Sequence, residues 1–418
     1  MSGTHVMPQR YMRAFAHVPL LHLDSPKSVL VICFGVGNTA HAASLHPSVQ
    51  TVAVADLSRD VLDHASFFEE SNGAILKNEK VKVFVNDGRH HLLTQAPGSY
   101  DLVTLEPPPI THAGVTSLYS REFYEIARSR LSEGGFVTQW LPAYQASERS
   151  VLELVRAFVD VFPEAVLINP YRQELVLLGS NKAIKLDPAA FERRLAERGA
   201  VRADMEKVRM GNLLEIAGMF AGDAETLISA TRAVPPLTDN HPLLEYDDLD
   251  PRGPRRLPAK LFDTSRVASW CPRCSAEVPE LTGYLKVLQD LYASEQYLST
   301  EINAPLSLPT DTPEAVAAVA ASPYLVRMIP NRRAAMARGR RLLNESAYGE
   351  AIDTIGLAVE LDPKDAAART LLGEAFLLAG VPRGAIWHLE RAVALDPNAA
   401  AARTLLEQAR TSTATAPR

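Results

Sequence analysis

Glycines and acids stand at the ends of successive apolar runs in the first quarter of this 418-residue chain, and together they could hold a nucleoside and move a proton. Val31-Ile32-Cys33-Phe34-Gly35-Val36-Gly37-Asn38 ends the first run in a Gly-x-Gly turn, where Gly35 and Gly37 let backbone approach a ligand closely. Asp56 closes the second run about 20 residues later, the place from which a carboxylate holds ribose hydroxyls. Asn86-Asp87-Gly88 closes the third, and an Asp there can accept from an adenine amino group. Glu106 closes the fourth and enters a Pro107-Pro108-Pro109 loop, which makes its carboxylate the candidate base. Acids at three successive strand ends point at one crevice. The competing reading is that Asp56 and Asp87 only cap the helices that follow them.

Such residues need a scaffold that brings strand ends together. Apolar runs at Val29–Ile32, Thr51–Ala55, Val81–Val85, Asp101–Leu105, Phe136–Trp140, Ala165–Ile168 and Leu175–Leu178 predict strands. Helical periodicity lies between them at Ala40–Leu45, Arg59–Glu70, Ser120–Leu131 and Glu148–Val161, with Gly134-Gly135 expected to stop the third of these. Alternation of this kind implies βαβ units and a mainly parallel sheet covered on both faces. Residues 1–182 are assigned to this α/β domain. Residues 183–330 form a middle region with helices at Pro188–Arg198 and Met205–Phe220 and a proline-rich connection from Val234 to Pro258.

The C-terminal part repeats. Leu361-Asp362-Pro363 recurs as Leu395-Asp396-Pro397, and the spacing is that of tetratricopeptide (TPR) repeats, about 34 residues. The first copy carries Gly339, Leu342, Ala351, Ile355, Ala358 and Pro363; the second carries Leu372, Gly373, Phe376, Ala385, Leu389, Ala392 and Pro397. Small residues let paired helices approach, and proline ends the second helix. Residues 331–412 are therefore read as two repeats plus a capping helix, a surface on which a protein partner could dock.

Composition narrows the classes. Hydrophobic content of 47% and charged content of 22% are ordinary for a globular chain. A net charge of −6 with no basic run argues against a nucleic-acid partner. No apolar run approaches the roughly 20 residues of a membrane span, and Met1–Arg10 has no signal-type apolar stretch. Three cysteines exclude a disulfide framework, so the expected compartment is the cytoplasm.

The glycine turn and strand-end acids resemble a class I S-adenosylmethionine (SAM) methyltransferase-like, Rossmann-type domain, and more closely the spermidine synthase family. Tyr11–Leu21 is similar to the family segment that leads into the first strand, with Tyr11 on its substrate-site tyrosine. Asp56–Leu62 resembles the ribose-binding segment, with Asp56 in place of Glu, and Asp87-Gly88 falls on the adenine-binding Asp. Ser117-Leu118-Tyr119-Ser120-Arg121-Glu122-Phe123-Tyr124 is very similar to the segment after the catalytic loop. Two positions depart. Val36 stands where the family has an Asp for the aminopropyl amine, and Glu106 and Pro109 stand on the two acids of its Asp-x-x-Asp loop. The chain also resembles the branch in which a membrane domain precedes a synthase-like domain with a Glu-Pro-Pro-Pro loop. The resemblance implies transfer of an aminopropyl group from decarboxylated SAM, or use of SAM, with a small amine as acceptor and no metal. Glu106 would act as base, with Tyr11 and Tyr119 lining the substrate cavity. Gly35, Gly37, Asp56, Asp87 and Gly88 would hold the co-substrate. A small-molecule methyltransferase and a non-catalytic nucleoside-binding scaffold stay open, and the oligomeric state is not legible.

Other polar residues have plainer readings. His112 reads as a solvated loop residue, and His90 and His91 as helix-face residues. Thr238-Asp239-Asn240-His241-Pro242 with Glu245 and Tyr246 reads as an Asx-capped turn, with a lid over the crevice as the alternative. Cys271-Pro272-Arg273-Cys274 reads as free thiols rather than half of a zinc site, because a second Cys pair is missing.

Overall fold

The computed structural model describes residues 6–110, 112–246, 256–299 and 304–414. Residues 247–255 of the proline-rich connection, and the first five residues of the expected first domain, lie outside them. The strands are β1 (Ser28–Ile32), β2 (Thr51–Asp56), β3 (Val81–Val85), β4 (Tyr100–Leu105), β5 (Leu131–Leu141), β6 (Val166–Tyr171), β7 (Glu174–Ser180) and β8 (Phe220–Gly222). They form one sheet in the order β3-β2-β1-β4-β5-β7-β6-β8. β3, β2, β1, β4 and β5 run parallel, while β7, β6 and β8 are antiparallel to their neighbours. The chain order reverses between β1 and β4, so the carboxyl ends of those strands open a crevice at the switch point.

Local chemistry explains the boundaries. Ser58, Asp87, Ser120 and Ser147 each accept a backbone N–H from the first turn of the helix they precede. Helix α1 (Gln9–His22) precedes β1 and packs on β4, β5, β6 and β7. Val29 and Val31 of β1 point into the same core as Ala14, Phe15 and Val18 of α1.

Several expectations are corrected. The helix from Arg121 ends at Arg130, not at the glycine pair; Gly134 and Gly135 lie inside β5, where Gly134 takes φ +76° and the pairing with β4 slips. The expected helix over 205–220 is two helices, Gly199–Lys207 and Leu213–Ala217. Arg209 at φ +58° breaks the run, and Asn212 caps the second piece. Phe220 then opens β8, which adds to the sheet edge beside β6. The middle region thereby belongs to the sheet's unit as far as residue 304, because Phe220, Trp270 and Leu281 bury themselves in the same core as the strands. Cys271 and Cys274 are fully buried and disulfide-bonded to each other, which overturns their reading as free thiols. No described helix is long and apolar enough to cross a membrane.

The second compact unit runs from Pro305 to Arg418, and its described part is helical. Its helices Arg332–Asn344, Tyr348–Leu361, Ala366–Leu378, Pro382–Leu395 and Ala400–Ala414 pack consecutively. Gly339 faces Ile355 and Gly373 faces Leu389 so closely that a Cβ at either glycine would collide with its partner.

Candidate active site

Three strand ends converge as their sequence positions require. The turn after β1 is held open by positive φ at Cys33 (+68°), Gly35 (+56°) and Gly37 (+86°). Asp56, at the end of β2, ties this turn down: its carboxylate accepts from Phe34 N at 2.7 Å and from Ser58 N at 2.8 Å. Asp87, after β3, accepts from His90 N at 2.7 Å, so the capping role weighed above exists. Each of these oxygens has further lone pairs, so capping leaves the carboxylates able to accept from a ligand.

A cavity of about 630 Å³ opens at the switch point. Cys33, Gly35, Asp56, Asp87, Gly88, Glu106 and Trp140 line it, with Pro107-Pro108-Pro109, Ala113-Gly114-Val115 and Ser117-Leu118 along one side. Gly37 is set back from the wall, at the start of helix α2 (Asn38–Ser44). The size suits a nucleoside-sized ligand.

Glu106 is half-buried at the cavity's inner end. Its Oε1 accepts the Tyr11 hydroxyl at 2.6 Å. Burial pushes the carboxyl up to about 7, the nearby Glu174 adds to the rise, and the Tyr11 hydrogen bond opposes it. Tyr11 itself is buried behind Glu106 rather than on the cavity lining, and burial beside Glu106 and Glu174 raises its phenol far above the usual range. Tyr119 is fully buried beneath the loop, also off the lining, with its phenol raised by burial. Burial likewise raises the Cys33 thiol to about 12, so it is no nucleophile at neutral pH.

One acid escaped the sequence reading. Glu174, the first residue of β7, is 5% exposed. Its Oε2 accepts the Trp140 indole N–H at 2.8 Å and its Oε1 accepts the Tyr144 hydroxyl at 3.3 Å. Burial raises its carboxyl to about 7, against the pull of those two donors. The signal was period two: Glu174 shares a strand face with Val176 and Leu178, which are core residues.

The remaining candidates separate. Val36 packs against the core and accepts Asn72 Nδ2 through its carbonyl. Pro109 is exposed, and its carbonyl accepts from His112. His90 is exposed and His91 bonds the Tyr100 hydroxyl at 3.0 Å. The Thr238–His241 turn forms as expected and also reaches the site's edge. Asp239 pairs with Arg89, just past Asp87, and Glu245 accepts from Gly114 N at 3.0 Å on the cavity wall.

A glycine turn after β1, acids after β2, β3 and β4, and a cavity at the switch point define a mainly parallel, Rossmann-type α/β domain with a candidate ligand site at its strand ends. Residues 8–177 match the model of the spermine/spermidine synthase domain. Polyamine aminopropyltransferase 2 of Pseudomonas aeruginosa is 26% identical over 262 residues, 60% of this chain and 73% of that protein. The polyamine aminopropyltransferase of Nitrosomonas europaea is 26% identical over 45% of this chain and 61% of its own length. Spermidine synthase of Dictyostelium discoideum is 30% identical over 30% of this chain and 44% of its own. The chain thus spans between about half and three quarters of these relatives.

Proposed function

We propose that this protein is an aminopropyltransferase: it binds decarboxylated SAM in the switch-point cavity and transfers the aminopropyl group to a small amine. The observation that carries this reading is Glu106, a carboxyl with a pKa of about 7 at the inner end of a nucleoside-sized cavity, backed by Tyr11. An amine acceptor is an ammonium ion at neutral pH and must lose a proton before it can attack. Ionised Glu106 would take that proton. The freed lone pair then forms the C–N bond at the aminopropyl carbon beside sulfur, as the C–S bond breaks and its electron pair stays on sulfur. A base with a pKa near the working pH is suited to this step. Tyr11 would steady the carboxylate through its hydrogen bond, Asp56 would accept from ribose hydroxyls and Asp87 from the adenine amino group, with Gly35 and Gly88 giving them room. Tyr119 would support the loop from beneath.

Val36 supports a second reading. With an apolar side chain packed into the core where the family has a carboxylate, the site has less to offer an aminopropyl amine, which fits use of SAM and methyl transfer to a small molecule. Calorimetric titration with decarboxylated SAM, SAM and methylthioadenosine, then an amine screen, tests both. Tighter binding of decarboxylated SAM with transfer to an amine is the expected result. Preference for SAM with methyl transfer would replace it, binding without transfer would leave the non-catalytic scaffold, and no binding of any of the three would leave a relic fold that serves the C-terminal unit.

For the C-terminal unit we propose two TPR repeats, Arg332–Leu361 and Ala366–Leu395, with Ala400–Ala414 as the capping helix and a protein partner on their surface. The glycine contacts at Gly339 and Gly373 support it. We place the protein in the cytoplasm on the same reading of a biosynthetic enzyme.

A further inference from the structure

The wall opposite the glycine turn is held from behind by an acid. Trp140 lines the cavity beside Glu106, and its indole N–H is donated to Glu174, which sits in the second layer of side chains. Tyr144 donates to the other oxygen of the same carboxyl and packs edge-on against Trp140, with ring centroids 6.4 Å apart. On the Glu106 side the pattern repeats: one carboxyl, one phenol from Tyr11, and Tyr11 packed edge-on against Phe15. The titratable groups that face this pair are Tyr11 from α1, Cys33 from the turn after β1, Tyr119 beneath the loop and Tyr144 after β5. All are neutral acids at pH 7, and none brings a positive charge.

Two carboxyls among phenols are an expensive arrangement, because burying negative charge is costly without a cation to answer it. Among the described residues no cation faces the pair, which leaves that place to a bound one. We propose that Glu174 is a positioning residue of this site: it fixes the indole of Trp140 in the cavity wall and completes with Glu106 a carboxyl pair that seats an acceptor arriving as an ammonium ion. The proposal rests on the aminopropyl-transfer reading for the identity of that acceptor. Glu174 acts through Trp140 and Glu106 and does not touch the acceptor. The acidic partner lost at Pro109 is in this way supplied from β7, behind the aromatic wall instead of on the loop.

The pair also predicts how protons are shared. The charge of Glu174 adds to the rise at Glu106, and because such coupling is reciprocal, loss of either acid makes the other ionise more easily.

The test uses the full chain. Carboxyl carbon NMR follows the titration of Glu106 without any ligand, in the wild type and in Glu174→Gln, whose amide oxygen can still accept from Trp140. The midpoint of Glu106 is expected to fall by at least about half a pH unit. The acid limb of kcat/KM against pH should move with it, and KM for the amine should rise about tenfold. Trp140→Phe keeps both acids, so it should raise KM and leave the Glu106 midpoint in place. An unmoved Glu106 midpoint in Glu174→Gln, with only thermal stability changed, overturns the proposal. If Glu174→Gln does not fold, the reciprocal experiment follows the Glu174 midpoint in Glu106→Gln, where the same fall is expected. The NMR titration needs no turnover, so absence of aminopropyl transfer would sink the proposed function and leave the carboxyl pair to be judged separately.

Discussion

Helix α1 separates two groups of buried acids that have opposite fates. On one face, Tyr11 bonds Glu106, near which Glu174 is held by Trp140 and Tyr144, so the neighbours of both acids are phenols and an indole. On the other, Arg10, Arg13 and His17 recur at helical spacing and meet acids from the chain beyond residue 200. Arg10 pairs with Glu215 at 2.8 Å, both fully buried, and also bonds the carbonyls of Pro170 and Val208. Arg13 pairs with Asp204 at 2.8 Å, and His17 bonds the same carboxylate at 3.1 Å. Burial alone would raise Asp204, but the His17 hydrogen bond and the charge of Arg13 outweigh it and hold the carboxyl well below its usual range. Burial is thus common to both groups, and partners decide. An acid answered by a cation of its own chain is committed to structure. An acid left with phenols holds its proton up to near neutrality and can exchange it with a visitor.

Substitutions can break this contrast. Glu106→Gln should abolish transfer almost entirely, by about 10² to 10⁴-fold in turnover. Its melting temperature should stay level or rise, because a buried acid is removed. A large loss of stability instead would show that Glu106 is structural. Glu215→Gln leaves the Arg10 guanidinium buried without its counter-charge, and should cost about 3–5 kcal/mol in denaturant unfolding. If stability there were unchanged, the division between the two faces of α1 would fall. Tyr11→Phe is gentler. It removes one hydrogen bond to a charged group, worth about 1.5–3 kcal/mol, so kcat/KM should drop about tenfold or somewhat more. The Glu106 midpoint should then lie above 7, because the bond that opposed the rise is gone.

The smallest effect is the pH dependence of stability, and its sign differs between the two groups. Glu106 is raised, so the folded state holds its proton while the unfolded chain has lost it. Stability therefore falls as pH rises from the ordinary carboxyl range toward about 7. Glu106→Gln should flatten that fall by on the order of 1 kcal/mol, since the half-buried group is screened by solvent. Asp204 is lowered, so its stabilisation is present above the ordinary Asp range and is lost as pH falls through it. Asp204→Asn should be less stable at pH 7 and should lose less on acidification. Thermal melts between pH 3 and 8 check both slopes.

The parts of this contrast were unequally legible. Strands β1 to β7 announce themselves as apolar runs, and Glu106 and Tyr11 stand out by position and resemblance. β8 is three residues long, Phe220-Ala221-Gly222, too short for any period to show, and it exists because the edge of β6 accepts it. The break at Arg209 follows from a tertiary demand: the carbonyl of Arg209 turns toward the buried Arg10 guanidinium. Glu174 stands one residue before the apolar run Leu175–Leu178, and the pairing of β7 with β5 and β6 is what turns it inward. Local pattern carries the scaffold. The electrostatics depend on partners some 200 residues apart.

That separation has a consequence for how the protein is made. The carboxylate that answers Arg10 lies 205 residues downstream. At ribosomal rates of about 5–20 residues per second, that interval is roughly 10 to 40 seconds. Late in it the nascent chain has Tyr11, Glu106 and most of the sheet, but α1 cannot settle into the core without burying arginines whose acids have not yet been made. The candidate site is therefore assembled late, and a chain truncated before Glu215 should emerge with its pocket residues present and its first helix undocked.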